Sequence, residues 1–238
     1  MFSGAIDSVG SVQILIRNGD GSFQTAIRTA LTTFAQAMAA GDFNGDGIPD
    51  LALADSVNNV VNILAGKGDG TFSTAIDYAV GPGPVFAAAA DLNGDGKADL
   101  MVSNVLGSVD ILLGNGNGTF QSSTAYPAGV ENWAVAVGDF DGDGKPDLTV
   151  GGSASSVSIL YGNGNGTFQP AIAINDFNGA AALATGDFTG TGKTGIAVAS
   201  AYASTIVTLL GVFPRISPLR PARRSRPHRE NLSRRHCR

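Results

Sequence analysis

The sequence predicts an all-β protein, a β-propeller of four-stranded antiparallel blades, and three observations carry that prediction. The first is composition: the 238 residues include 33 Gly, and Asp outnumbers Glu 18 to 2. Helical proteins draw on Glu, Lys and Leu, whereas Gly, Asp and Asn favour turns. The second is an acidic loop that recurs as "DFNGDGIPD" from Asp42, "DLNGDGKAD" from Asp91 and "DFDGDGKPD" from Asp139. A worn copy, "DFTGTGKTG", starts at Asp187, so the steps are 49, 48 and 48 residues. The third is a Gly/Asn turn that ends in Phe and places Phe23, Phe72, Phe120 and Phe168 at those same intervals. Two markers in phase define a repeat of ~48 residues, which matches one propeller blade.

Within a repeat, each segment reads as a strand. A short apolar run precedes each acidic loop ("QAMAAG", "VFAAAA", "WAVAVG", "AALATG"). Its Ala content suits a first strand near a crowded axis, and Trp133 and its neighbours in this run are expected in the core. A second run follows the loop ("LALAD", "LMVSN", "LTVGG", "IAVAS"), and a third comes after it ("VVNILAG", "SVDILLG", "SVSILYG", "STIVTLL"). The Gly/Asn turn then leads to a fourth strand, expected to start at the marker Phe. Short β-rich runs between turn signals argue for strands. Phe72, Phe120 and Phe168 are expected to pack between neighbouring sheets. The chain opens on what look like strands three and four of a blade (Val12–Ile16, then Phe23–Thr29) and ends its repeats after a third strand near Leu210. Either the end pieces share one blade of a small ring, or the blades form an incomplete ring or open arc of about four to five repeats; the arc is the favoured expectation.

Numbered from its first Asp, the third loop carries oxygens at positions 1, 3, 5 and 9: Asp139, Asp141, Asp143 and Asp147. The first offers Asp42, Asn44, Asp46 and Asp50, and the second Asp91, Asn93, Asp95 and Asp99. A Gly at position 6 lets the loop curl, and the backbone carbonyl at position 7 (Ile48, Lys97, Lys145) can join the set. Hard oxygen ligands in that number suit Ca²⁺ better than Zn²⁺ or Mg²⁺, so about three structural Ca²⁺ sites are expected. An EF-hand needs a bidentate Glu at position 12 and flanking helices. Position 12 here is Leu53, Val102 or Val150, inside the next strand, so that reading fails. The fourth loop keeps Asp187 but has Thr189, Thr191 and Gly195 elsewhere, and is expected to be metal-free.

The loops and the "GNGNGTF" turns resemble FG-GAP/VCBS repeats, the blade units of integrin α-chain propellers and of many bacterial secreted or surface proteins. The resemblance covers about residues 9–211. It implies a β-propeller with Ca²⁺ in the hairpin between the first two strands of a blade, held by the loop residues named above. Blade number and the lost fourth site depart from the family pattern.

Charge divides the chain. Residues 1–211 hold 6 Lys+Arg against 19 Asp+Glu, a net of −13, and ten of those acids sit in the three intact loops. Three Ca²⁺ ions would offset almost half of that self-repulsion. Residues 212–238 hold nine Arg against one Glu and break the repeat rhythm. This basic tail is expected to be disordered. It reads as an out-of-frame product of a GC-rich gene, with a basic interaction arm as the alternative. Cys237, His228 and His236 all lie in it, so the repeats lack disulfides, His/Cys zinc sites and His-dependent triads.

"GTGKT" at 190–194 lacks the first Gly of a phosphate-binding loop, and "GNGNG" joins two strands rather than opening a helix. No nucleic-acid partner is expected. No apolar run reaches the ~18 residues of a membrane-spanning helix. The start, "MFSGAIDSVG", lacks the features of a secretory signal. The chain is therefore expected to be a piece of an extracellular or cell-surface protein. The function expected is a non-enzymatic, calcium-binding module for adhesion or ligand binding, with an unknown protein or glycan as partner and association through open propeller edges. The alternative is a carbohydrate-binding or accessory domain of a secreted polysaccharide-active enzyme. Glycosidase chemistry needs two facing carboxylates. Glu131 is the only Glu before the tail, and Asp55, Asp77, Asp110 and Asp176 show no paired spacing. Trp133 and Tyr126 are the residues suited to stacking on a sugar.

Overall fold

Alternation of side chains across a strand lets one apolar run serve two neighbours, and this is how the protein makes its core. A computed structural model of the chain describes residues 2–6, 11–31, 35–129, 131–152, 156–175, 179–200 and 206–209. All regular elements among them are β-strands, arranged as five antiparallel sheets in chain order. The second blade comprises β4 (Ala35–Gly41), β5 (Asp50–Asp55), β6 (Val60–Leu64) and β7 (Ile76–Ala79). The third has β8 (Pro84–Ala90), β9 (Asp99–Asn104), β10 (Ser108–Leu112) and β11 (Thr124–Pro127). The fourth has β12 (Asn132–Gly138), β13 (Asp147–Gly152), β14 (Ser156–Leu160) and β15 (Ile172–Asn175). The first blade contributes β1 (Phe2–Ile6), β2 (Ser11–Ile16) and β3 (Ile27–Ala30), and the fifth β16 (Ala180–Gly186), β17 (Gly195–Ser200) and β18 (Ile206–Leu209).

The core lies between blades rather than within them. Leu51 and Leu53 of β5 pack with Val12 and Ile14 of the first blade. Their neighbours Ala52 and Ala54 face the other way, onto Leu100 and Val102 of the third blade. Met101 then turns to the fourth blade, where it meets Leu148 and Val150. Every residue of β5, β9 and β13 is buried because both faces of those strands are covered. The Ala-rich first strands β4, β8, β12 and β16 pack side by side in succession, as small side chains near a shared axis permit. Each carries a bulge near its start, as at Ala35/Ala37 and Ala180/Ala182. A bulge sharpens local twist and ends regular pairing at the same place in each blade.

Two expectations about strand limits need correction. The marker Phe does not begin the fourth strand: Phe72, Phe120 and Phe168 each make an isolated bridge to a Gly (Gly66, Gly114, Gly162), and β7, β11 and β15 start four residues later. The side chains of Phe120 and Phe168 lie instead in the junction with the preceding blade. The chain also opens on a second strand, since β1 pairs with β2 from Phe2↔Ile16 to Ile6↔Val12. This decides between ring and arc. Two three-stranded end sheets cannot combine into one four-stranded blade, and among the described residues they share no strand pairing. The blades form an open arc. Residues 212–238 and the side chain of Trp133 lie outside the described residues, as does Asp176.

Candidate metal centre

Each acidic loop connects the first and second strands of its blade, and its conformation follows from its glycines. Gly142 and Gly144, at positions 4 and 6 of the third loop, have φ of 79° and 80°. That left-handed backbone costs little for Gly and turns successive N–H groups toward the loop interior. The carboxylate at position 1 receives them: Asp139 accepts hydrogen bonds from the N–H of Gly142 at 2.7 Å, Asp143 at 3.1 Å and Gly144 at 2.9 Å. Asp42 and Asp91 repeat the pattern. The N–H bonds, that of Gly47 foremost, hold the Asp42 carboxyl below its ordinary range.

The carboxylate at position 9 does something the spacing alone did not announce. Asp50, Asp99 and Asp147 are buried, and each bridges two backbone segments. One Asp147 oxygen accepts the Phe140 N–H at 2.9 Å, and the other accepts the Gly162 N–H at 2.7 Å, from the turn after the third strand. Asp50 binds Phe43 and Gly66 in the same way, and Asp99 binds Leu92 and Gly114. Burial pushes the Asp99 and Asp147 carboxyls up, the N–H bonds oppose that, and the other acids of their loops push in the same direction as burial. These are buried charges in an acidic setting, an arrangement that a nearby cation relieves.

In the third loop the structure brings Asp139, Asp141 and Asp147 together, with one oxygen from each within 4.8 Å of the others. In the first two loops Asn44 and Asn93 hold position 3, and their side-chain oxygens accept the N–H of Asp46 and Asp95, both at 2.9 Å. Position 5 is engaged locally. Asp46, Asp95 and Asp143 each accept the N–H of position 7, from Ile48, Lys97 and Lys145. Lys97 Nζ also lies 3.2 Å from Asp95 and Lys145 Nζ 3.0 Å from Asp143, so each lysine neutralises part of its own loop. The donor set at positions 1, 3 and 9 consists wholly of hard oxygens and fits Ca²⁺.

The worn loop provides an internal control. Asp187 still accepts N–H bonds from Thr189, Thr191 and Gly192. These bonds, with the Gly192 contact first, lower its carboxyl from 3.8 to about 2. Gly195 replaces the position-9 carboxylate, yet β16 and β17 still pair down to Gly186↔Gly195. The loop's shape is thus set by its backbone, and the oxygens at positions 3, 5 and 9 are additions to it. The same stretch contains "GTGKT", which here joins two strands.

A model of the FG-GAP-like repeat matches residues 1–53, 42–102, 91–150 and 139–198. The chain belongs to the FG-GAP-like repeat family. The last three matched units each run from one acidic loop into the next or into its worn copy, so the family repeat and the structural blade coincide in period. No curated protein matches the chain in sequence. Among solved structures, a lectin of Agrocybe aegerita, described as recognising non-reducing terminal N-acetylglucosamine, is similar over 82% of this chain, at a TM-score of 0.54 and 21% identity. The chain spans 60% of that lectin's length. A structure of BBS1N in complex with ARL6DN is similar over 71% of this chain and 52% of its own, at a TM-score of 0.49 and 17% identity. At these identities the likeness to the lectin concerns the fold.

Three of the remaining acids have structural partners. Asp55 accepts the N–H groups of Val57 and Asn58, Asp77 accepts the Asn62 side chain, and Asp110 accepts the Gly81 N–H and the Asn104 side chain. Tyr126 packs edge-on against Phe168 at 5.5 Å and its hydroxyl accepts the Phe168 N–H, so it is absorbed into a blade junction.

Proposed function

We propose that this FG-GAP repeat protein is a calcium-stabilised, non-enzymatic binding module that works outside the cell. The observation that carries the reading is the convergence of Asp139, Asp141 and Asp147 in a loop whose oxygen positions recur in register at Asp42 and Asp91. Positions 1, 3, 5 and 9 of each intact loop, with the carbonyls of Ile48, Lys97 and Lys145, would hold the ions. Bound Ca²⁺ would supply positive charge beside the buried carboxylates of Asp50, Asp99 and Asp147, whose hydrogen-bond partners are backbone N–H groups. Exposed loops of this kind suit the roughly 10⁻⁴–10⁻³ M affinities of extracellular modules, which favours a calcium-rich medium. Lack of catalysis is supported by the engagement of Asp55, Asp77 and Asp110 in backbone and amide hydrogen bonds. The ligand is a protein or a glycan, and the lectin sharing this fold favours testing glycans first.

A glycan array, probed with the full chain in millimolar Ca²⁺ and again in chelator, tests this reading. Calcium-dependent retention on defined sugars would establish a lectin. Retention on protein ligands alone would establish adhesion. Turnover of a polysaccharide would overturn the non-enzymatic assignment.

A further inference from the structure

The two junctions inside the arc, between the second and third and the third and fourth blades, share one grammar, and the two ends of the arc carry its unmatched halves. At the junction of the second and third blades, Phe43 of the acidic loop meets Phe120 of the following blade edge-on at 5.3 Å. Phe43 is 1% exposed, and its carbonyl accepts the Gly118 N–H at 2.8 Å. Leu92 and Phe168 repeat the pairing one blade later. The turn glycine two residues before the marker Phe is close to the preceding blade each time. A Cβ on Gly70 would lie 2.6 Å from Ile27, on Gly118 3.4 Å from Asn44, and on Gly166 2.5 Å from Leu113.

On the first blade the equivalent residues are Gly21 and Phe23. Gly21 has nothing within 4 Å of where its Cβ would stand, and Phe23 is 49% exposed. On the fifth blade the equivalent of Phe43 is Phe188, which is 48% exposed. Beside it, Ile196 and Val198 face inward onto the fourth blade. Ala197 and Ala199 face the other way and are half-buried, whereas the same positions in β5, β9 and β13 are buried. Ile206, registered opposite Ala199, is 75% exposed. Exposed apolar surface of this kind marks an interface when its neighbours pair off regularly.

We propose that the two end faces are a head-to-tail interface between copies of this chain, with Phe188 of one copy seated on Phe23 of the next. A second copy is the occupant because it presents the half-junction that each face lacks, in the geometry that pairs Phe43 with Phe120 and Leu92 with Phe168 inside the chain. The contact is heterologous: each copy offers two different faces, so association propagates and ends only if the arcs close into a ring. The Gly21 N–H is placed to donate to the Phe188 carbonyl, as Gly118 donates to Phe43.

Sedimentation velocity of the full chain, from ~1 to ~100 µM, tests this, since association of this kind follows mass action. Average mass is expected to rise with concentration. Phe23→Lys and Phe188→Lys should each sediment as monomers, because each removes one half of every contact. An equimolar mixture of the two should give a dimer that grows no further, held by the one intact pair. Both side chains are half-exposed, so matching melting curves will show that the variants fold. Independently of any variant, Gly21 amide exchange in the wild-type protein should slow as concentration rises. A wild-type monomer at every concentration would overturn the proposal. So would single variants that still associate, a mixture that stays monomeric, or Gly21 protection independent of concentration, the pattern expected if the chain's own Arg-rich tail covered the edge.

Discussion

Asp147 is at once a candidate ligand and a clamp, and the two roles separate experimentally. Its oxygens satisfy the buried N–H groups of Phe140 and Gly162. Leaving both unpaired costs roughly 2–6 kcal/mol, taking ~1–3 kcal/mol for each. Asp147→Ala should therefore lower unfolding free energy by that amount even in chelator, and Asp147→Asn, which keeps one acceptor, by about half. Urea titration in chelator reads both. Asp141 bears mostly on the proposed ion: Asp141→Asn gives the third loop the position-3 residue of the first two. The third site should then weaken to match its neighbours, since affinity follows ligand charge. Asp187 tests the worn loop. Its folded value of about 2 lies below its ordinary 3.8, so its contribution is present above pH 4 and is lost as pH falls toward 2. Asp187→Asn should lower the melting temperature at pH 6 and leave it unchanged at pH 2. At this scale the sequence told which residues carry oxygen and at what spacing. It did not tell that position 9 is buried against two N–H groups, because the second of those, Gly162, lies 15 residues away, and a contact across a blade leaves no local pattern.

Strands and turns were legible to the extent that they obey local rules. The apolar runs bounded by Gly, Asn and Asp became strands, and Gly at loop position 6 marked a left-handed turn. The start of the fourth strand was misplaced because the marker Phe closes the Gly/Asn turn with a single bridge before the ladder begins, as at Gly114↔Phe120, and its packing on Phe43 and Tyr78 of the neighbour blade leaves no local pattern. β1 was missed because its residues, FSGAI, lack the consecutive apolar side chains that marked the other second strands. The close approach of turn to loop is also invisible locally. A Cβ at Gly162 would sit 2.0 Å from the Pro146 carbonyl oxygen, and at Gly114 2.2 Å from that of Ala98. These glycines are required by space, since the opposing atoms are backbone. Gly162→Ala should destabilise the protein by ~2–3 kcal/mol, in the range of overpacking. Gly142→Ala, where nothing lies within 4 Å, should act through its positive φ alone and cost less, ~1 kcal/mol. Thermal melts of the two variants side by side check the order.

The whole molecule is a set of junctions in series, as expected when each repeat buries its faces only against its neighbours. The repeat period announced the blades, and the strand pairing decided that the end sheets do not merge. Charge is also a property of this scale: a net of −13 over residues 1–211, concentrated by ten acids in three loops, works against compactness. The direct test of the calcium account is calorimetric titration of the full chain with Ca²⁺, paired with melting temperature in Ca²⁺ and in chelator. The account predicts about three binding events, and a melting temperature that rises with Ca²⁺ and falls back when chelator is added. Absence of binding heat, together with melting that chelator leaves unchanged, would contradict it.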